Sequence, residues 1–301
     1  RIRPNGATEL FAGSSTIPNA GPWDDATLAE GGHALSQSIA HGYAAVLAYD
    51  HVRRRLYIVP RNRWAVGCAL YYIEVDTQIV HHVLGEFDTC VTDGDDGPAG
   101  EATAANIFAL AVNEAGIVYF VENVTSPNTY YIRYIDSGDT VRTILAGDTA
   151  HPGAGTLGYI PSFQGSLVPV PGSSDLYFSD NTQKIYRTNI SGSNVQHIAG
   201  GGASTANGVA ATSARLLYDA RFTATPDGQL WVADTTSDTI RRIDNAGLIW
   251  TVAGTMGMTG DTGEGGPAAS ALLTDPTHIS TYLGTHVAFI DAGSRSVRVI
   301  W

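Results

Sequence analysis

Three carboxylates interleaved with glycine, Asp93, Asp95 and Asp96 in TDGDDGPAG, form the clearest cluster of potential metal ligands in the chain. Ca²⁺ accepts many oxygen ligands in a flexible loop, so this segment is the one cofactor candidate, for Ca²⁺. No glutamate closes it at the twelfth position, which rules out an EF-hand and leaves a solvated loop as the default reading. Asp261 and Glu264 lie in a similar loop further on. A second set of charges recurs at regular places. Asp180, Asp234 and Asp291 each end an apolar run, Glu122 takes the same position, and Arg133, Arg241 and Arg298 recur on the run that follows. A carboxylate beside a turn accepts turn N–H bonds. Pairing with the arginines makes this set a mark of the repeat rather than of catalysis.

The histidines do not converge. His81 and His82 are adjacent on a strand and point to opposite faces, while His278 and His286 flank one strand and His33, His41 and His51 are scattered. No nucleophile elbow and no phosphate loop occurs. No residue is therefore assigned as catalytic, and the expectation is a protein that is not an enzyme.

Cys68 and Cys90 make no zinc or redox motif. Two readings stand, a disulfide across a blade edge in an oxidising compartment or two separate buried thiols, with the disulfide preferred. Two N-glycosylation sequons begin at Asn123 and Asn189. Asn123 is expected in a strand-connecting loop and Asn189 near a turn, both exposed. With the cysteine pair they favour a secretory route, so the expected location is extracellular or at the cell surface.

The elements that hold these residues are short strands. Val, Ile, Thr and Tyr alternate with turn residues, and there are 34 Gly and 13 Pro in 301 residues. LWVADTTSDTIRRIDNAGLIWTVAG, ending at Gly254, reads as strand, turn, strand, turn, strand and a glycine stop. Related units end at Gly85, Gly147 and Gly200. A last one, HVAFIDAGSRSVRVIW, breaks off at Trp301, and the opening RIRPNGATELFAG supplies the end of such a unit at Gly13. Between units lies a second repeated element, EGGPAASALLTDPTHIS, with counterparts beginning at Glu30, Asp96 and Gly208. Repetition at this period decides the fold.

The AG stops, the GEGGPAASA loop and the ADT…IRRID strand pair resemble the NHL-repeat family, in its teneurin-type and bacterial secreted forms, over nearly the whole chain. The resemblance implies an all-β propeller of four-stranded blades around a channel. Five blades are expected, at about 14–85, 86–147, 148–200, 201–254 and 255–301 with 1–13, closed by the N- and C-terminal strands in a single domain. Six are the alternative, should 14–40 hide a degenerate blade. Amidating lyases and lactonases of related fold use channel metals, but neither the histidines nor Glu9, Glu30, Glu74, Glu86, Glu101 and Glu114 match their patterns.

Net charge is −12, which argues against nucleic acid as a partner, and no apolar run of membrane-spanning length occurs. Lys184 is the only lysine; GC-rich coding explains that, and so does a surface that packs against others. The chain begins at Arg1 rather than Met, which reads as a processed or excerpted sequence. VRVIW and RIRPN both match a third strand, so one copy is surplus. The expected function is a non-enzymatic extracellular scaffold or interaction propeller, with N-linked glycans, that associates with itself or with another extracellular protein. A subunit of a surface filament or appendage is the particular form expected. Arg1, Ile2, Arg3, Val299, Ile300 and Trp301 are its assembly termini. The alternatives are a channel-metal enzyme of the lactonase or amidating-lyase type, and a receptor-like propeller that binds a protein or glycan through a loop carrying Trp23, Asp24 and Asp25.

Overall fold

In the computed structural model, residues 30–34, 46–60, 67–86, 89–124, 129–146, 163–180, 182–216, 220–282 and 286–301 are described. The fold is an all-β, five-bladed propeller with only short 3-10 turns beside its strands. It divides into two compact units, 1–146 and 147–301.

The first unit holds two four-stranded antiparallel meanders. One is β1 (Val46–Asp50), β2 (Arg55–Val59), β3 (Leu70–Glu74) and β4 (Val80–Leu84). The other is β5 (Asn106–Val112), β6 (Val118–Val124), β7 (Thr129–Ile135) and β8 (Val141–Leu145). Tyr57, Val59, Leu70 and Leu84 from the first sheet share a core with Ile107, Leu110, Val118 and Phe120 from the second. β6 reads as a continuous buried run instead of alternating.

The second unit holds three sheets. The third sheet is β9 (Phe163–Pro169), β10 (Leu176–Asp180), β11 (Lys184–Thr188) and β12 (Val195–Gly200). The fourth has β14 (Arg221–Ala224), β15 (Leu230–Asp234), β16 (Thr239–Ile243) and β17 (Leu248–Ala253), with the two-residue β13 (Val209–Ala210) on its outer edge. The fifth has three strands among the described residues, β18 (Pro276–Tyr282), β19 (His286–Asp291) and β20 (Ser296–Ile300). Phe222, Val232 and Ile249 of the fourth sheet pack with Tyr177 and Ile185 of the third. Its Ala233, Ile240 and Ala253 pack with Val287 and Phe289 of the fifth and with Leu273 just ahead of it.

Local chemistry sets the turns and stops. In the hairpin from β16 to β17, Asp244 Oδ1 accepts the N–H groups of Ala246 at 3.0 Å and Leu248 at 2.9 Å. Asp136 does the same for Gly138 and Thr140 ahead of β8. The Leu248 N–H, and after it the Trp250 indole N–H, hold the Asp244 carboxyl below the usual carboxylate range. At the stops the requirement is steric. Gly254 has φ +82°, and a Cβ there would run into the carbonyl oxygen of Asp238. Gly85 and Gly200 meet the carbonyls of Cys68 and Gln183 in the same way. A register shift occurs at the same point of the third-to-fourth strand pairing in the first four sheets, at Leu70/Tyr71, Ile132/Arg133, Ile185/Tyr186 and Ile240/Arg241. The repeat in sequence is therefore also a repeat of backbone irregularity.

The expected closing segment 1–13, the assembly residues Arg1, Ile2 and Arg3, and the loop with Trp23, Asp24 and Asp25 lie outside the described residues. No helix among the described residues is long and apolar enough to cross a membrane.

Candidate functional site

The repeated arginines are loop clamps. Arg133 leaves β7, is fully buried, and directs its guanidinium at the glycine-rich segment that precedes its own sheet. Nε donates to Asp95 at 3.0 Å, Nη1 to Thr103 O at 2.9 Å and Glu122 at 3.3 Å, and Nη2 to Asp93 O at 3.0 Å and Asp95 at 2.7 Å. All of its N–H donors are used. Arg298 repeats the pattern: Nη1 reaches Leu272 O at 3.0 Å and Asp291 at 3.1 Å, Nη2 reaches Thr262 O at 2.8 Å, and Nε pairs with Glu264 at 2.9 Å. Burial pushes the Glu122 carboxyl up, while the adjacent Arg133 and the Ala105 N–H pull it back toward the ionised form.

The clamp departs from the expected carboxylate–arginine pair in two sheets. Among the described residues Asp180 bonds no arginine. It accepts from Thr182 and, at 3.3 Å, from the hydroxyl of Tyr186, which stands where Arg133 stands in the second sheet. Burial and the nearby Asp180 carboxylate push the Tyr186 phenol up to about 12. Tyr186 pairs across the strands with His197, whose Nε2 lies 2.9 Å from Gly200 O. Tyr71 and His82 build the same pair in the first sheet, with His82 Nε2 2.6 Å from Gly85 O. In the fourth sheet Arg241 is fully buried, with Nη1 on Arg215 O at 3.0 Å, and its Nε and Nη2 have no hydrogen-bond partner. The place of Asp95 and Glu264 is taken there by Asn207, which accepts the Thr251 N–H at 2.7 Å.

The side chains singled out as metal candidates are engaged in the clamp and its surroundings. Asp95 is committed to Arg133 and Thr143, Asp96 turns outward to Arg142, and Asp93 accepts the Gly94 N–H. Asp93, Asp95 and Asp96 are adjacent in sequence but do not converge on one point. No group of three or more metal-ligating side chains occurs among the described residues.

Asn123 is a correction. It lies within β6, opposite Asn106 and Tyr130, and is only 8 % exposed. The β6 pairing runs further than the loop expected from sequence, so its amide is not presented to solvent in the folded chain. Asn189 does fall in a turn, between β11 and β12. Its side chain is held by Ser193 at 3.0 Å, Ser191 at 3.2 Å and the Asn194 N–H at 3.3 Å. Cys68 and Cys90 are disulfide-bonded, with Cα atoms 5.2 Å apart, across the exit from the first sheet.

Val299 and Ile300 belong to β20, and Trp301 follows it, 83 % exposed and edge-on to His286. Val297 on the same strand is 71 % exposed. The outer edge of β20 has no strand partner among the described residues. The glycine-rich loops reveal a related feature that sequence reading did not anticipate. In three sheets the loop docks along the outer edge of the fourth strand. Gly31 N and Ala34 N donate to Val80 O and Gln78 O, Asp96 N and Ala99 N to Val141 O and Asp139 O, and Gly208 N and Ala211 N to Ile249 O and Gly247 O, all at 2.8 Å. Gly265 and Ala268 hold the same places ahead of the fifth sheet and make no such bond among the described residues. The repeated small residues in the loops were the signal available.

No family model matches the chain, and no curated protein matches it. Solved structures do. An auxiliary nutrient binding protein from Bacteroides thetaiotaomicron is 15% identical with a TM-score of 0.50, over 97% of this chain and 75% of that one. Virginiamycin B lyase from Staphylococcus aureus is 14% identical with a TM-score of 0.47, over 85% and 69%. The WD40 repeats of RRP9 are 11% identical with a TM-score of 0.48, over 86% and 61%. At this identity the likeness to the nutrient binding protein is one of fold alone.

Proposed function

We propose that this chain is a non-enzymatic, extracellular scaffold propeller of NHL type that associates with itself, as the subunit of a surface filament or appendage. The observation that carries this reading is the exposure of Val297 and Trp301 at β20, whose outer edge has no strand partner among the described residues. An unpaired strand edge is a template for another chain, and proteins that stay apart usually shield it with charge, proline or a covering loop. Among the described residues this edge presents the apolar side chains of Val297 and Trp301. The Cys68–Cys90 disulfide supports an oxidising compartment, and the Asn189 turn supports an N-linked glycan at that position. The commitment of the repeated carboxylates and arginines to loop clamping supports a structural role for the residues that looked most chemical.

Light scattering behind a sizing column tests the reading. Mass rising above 31.7 kDa with concentration is expected. A constant 31.7 kDa species across the range, with β20 amides protected from exchange, overturns it.

A further inference from the structure

We propose that Asn207–Gly208 is a self-modification site: Asn207 loses its side-chain amide through attack by the Gly208 nitrogen, and the aspartate formed completes the loop clamp of the fourth sheet.

The clamps correspond residue by residue. Nη1 of Arg133, Arg241 and Arg298 bonds the carbonyl of Thr103, Arg215 and Leu272 respectively. Each of these carbonyls lies eight residues beyond Asp95, Asn207 and Glu264. Thr251 faces Arg241 across the strands as Thr143 faces Arg133, and Asn207 accepts from Thr251 as Asp95 accepts from Thr143. The same place therefore holds a carboxylate in two sheets and a carboxamide in the fourth. Asp95 takes Nε and Nη2 of Arg133, and Glu264 takes Nε of Arg298. Nε and Nη2 of the fully buried Arg241 have no hydrogen-bond partner. An amide cannot supply what they need. Its one oxygen already holds the Thr251 N–H at 2.7 Å, and its nitrogen is a donor, like every nitrogen of the guanidinium. A carboxylate adds a second acceptor oxygen and the missing charge.

The following residue supplies the route. Asn207–Gly208 is the one Asn–Gly step among the described residues. Glycine has no Cβ to keep its nitrogen from the Asn207 side-chain carbon, and Asn207 is exposed to water. The Gly208 nitrogen attacks Asn207 Cγ. A C–N bond forms, the bond to Nδ2 breaks, and ammonia leaves with the Gly208 proton. Water then opens the five-membered imide. Opening at Cγ gives aspartate, and opening at the main-chain carbonyl gives isoaspartate. No oxidant or reductant enters.

The fold decides when the reaction runs and which product is kept. In the docked loop the Gly208 N–H is held by Ile249 O at 2.8 Å, so the attack belongs to moments of local opening. The stranded Arg241 makes the fourth-sheet clamp the one most ready to open. Aspartate lets the loop redock with Arg241 satisfied. Isoaspartate lengthens the main chain between residues 207 and 208, which shifts Gly208 off Ile249 and Ala211 off Gly247. The modification thus works as a one-way latch that tightens the fourth sheet with time.

The test follows the full-length native chain through incubation at mildly alkaline pH, beside a urea-denatured sample. Tryptic cleavage after Arg187 and Arg215 leaves Asn207 and Asn194 in one peptide, and Asn194, equally exposed but followed by Val195, is the internal reference. Mass spectrometry locates the conversion, and an isoaspartate-specific methyltransferase separates the two products. Conversion at Asn207 ahead of Asn194, with aspartate the main native product, is expected. The urea midpoint of the incubated chain should rise to that of Asn207→Asp, while incubation leaves the midpoint of Asn207→Gln unchanged. The proposal is wrong if Asn207 keeps its amide in the native chain while the denatured sample loses it. It is equally wrong if isoaspartate dominates in the native chain, or if the midpoint falls as Asn207 is converted.

Discussion

Replacing Asn207 by Asp should stabilise the protein. Arg241 is fully buried, yet two of its guanidinium nitrogens, Nε and Nη2, lack hydrogen-bond partners. Burial, opposed by Asp234, lowers its pKa. In the second sheet the equivalent nitrogens share Asp95 at 3.0 and 2.7 Å, and in the fifth Nε has Glu264 at 2.9 Å. Asn207 stands in that place, and its carboxamide oxygen already bonds the Thr251 N–H, a bond that a carboxylate keeps. Each charge-assisted hydrogen bond gained contributes about 1.5–3 kcal/mol before desolvation of the new carboxylate. Because Asn207 is exposed, screening trims this to a net gain of about 1–2 kcal/mol. For a domain of this size that is a rise in Tm of about 2–6 °C. Asp95→Asn is the reciprocal control and should cost about 2–3 kcal/mol, because it strands the buried Arg133. Urea unfolding with coincident fluorescence and circular dichroism measures both. If Asn207→Asp is neutral or destabilising while Asp95→Asn leaves the midpoint unchanged, the clamp does not hold the loops and the account of the repeated charges fails.

Three further outcomes follow from the same geometry. Gly254→Ala places a Cβ against the Asp238 carbonyl at φ +82° and should destabilise by about 2 kcal/mol or more in urea melts. Replacing both Cys68 and Cys90 by Ala opens a loop of 22 residues and should cost about 3 kcal/mol, read as a lower thermal midpoint under non-reducing conditions. Tyr186 should titrate near 12, seen as a phenolate absorbance step that Tyr186→Phe removes. Because its folded value lies above the ordinary tyrosine value, its contribution to stability is complete below about pH 10 and is lost as pH rises through about 12. A midpoint near 10 in the native protein contradicts the Asp180–Tyr186 contact.

The fold was legible because each blade repeats its punctuation. The stop glycines are dictated by a backbone contact that any side chain would violate, and the Asp turns by their own N–H bonds, so both are local signals that survive divergence. Placing Asp180, Asp234, Asp291 and Glu122 at one site of the repeat was equally local. What the sequence hid was the destination of the arginines. Their partners are mostly main-chain carbonyls, Thr103, Leu272 and Thr262, and a carbonyl has no side-chain signature. Substitution of the clamp by Tyr71–His82 and Tyr186–His197 was hidden for a related reason, since a different chemistry fills the same gap. Asn123 was misplaced because β6 continues its pairing through Val124 opposite Thr129, and a polar pair at a strand end reads like a loop. The docking of the glycine-rich loops on fourth strands was present only as a run of small residues. It became interpretable when Ala34, Ala99 and Ala211 proved to be buried at equivalent points and Ala268 did not.

Imaging the purified full-length chain by negative-stain electron microscopy, over a range of concentrations, tests the self-association claim most directly. Head-to-tail strings or fibres with a repeat the size of one propeller are the predicted result. A field of isolated single propellers at every concentration contradicts it.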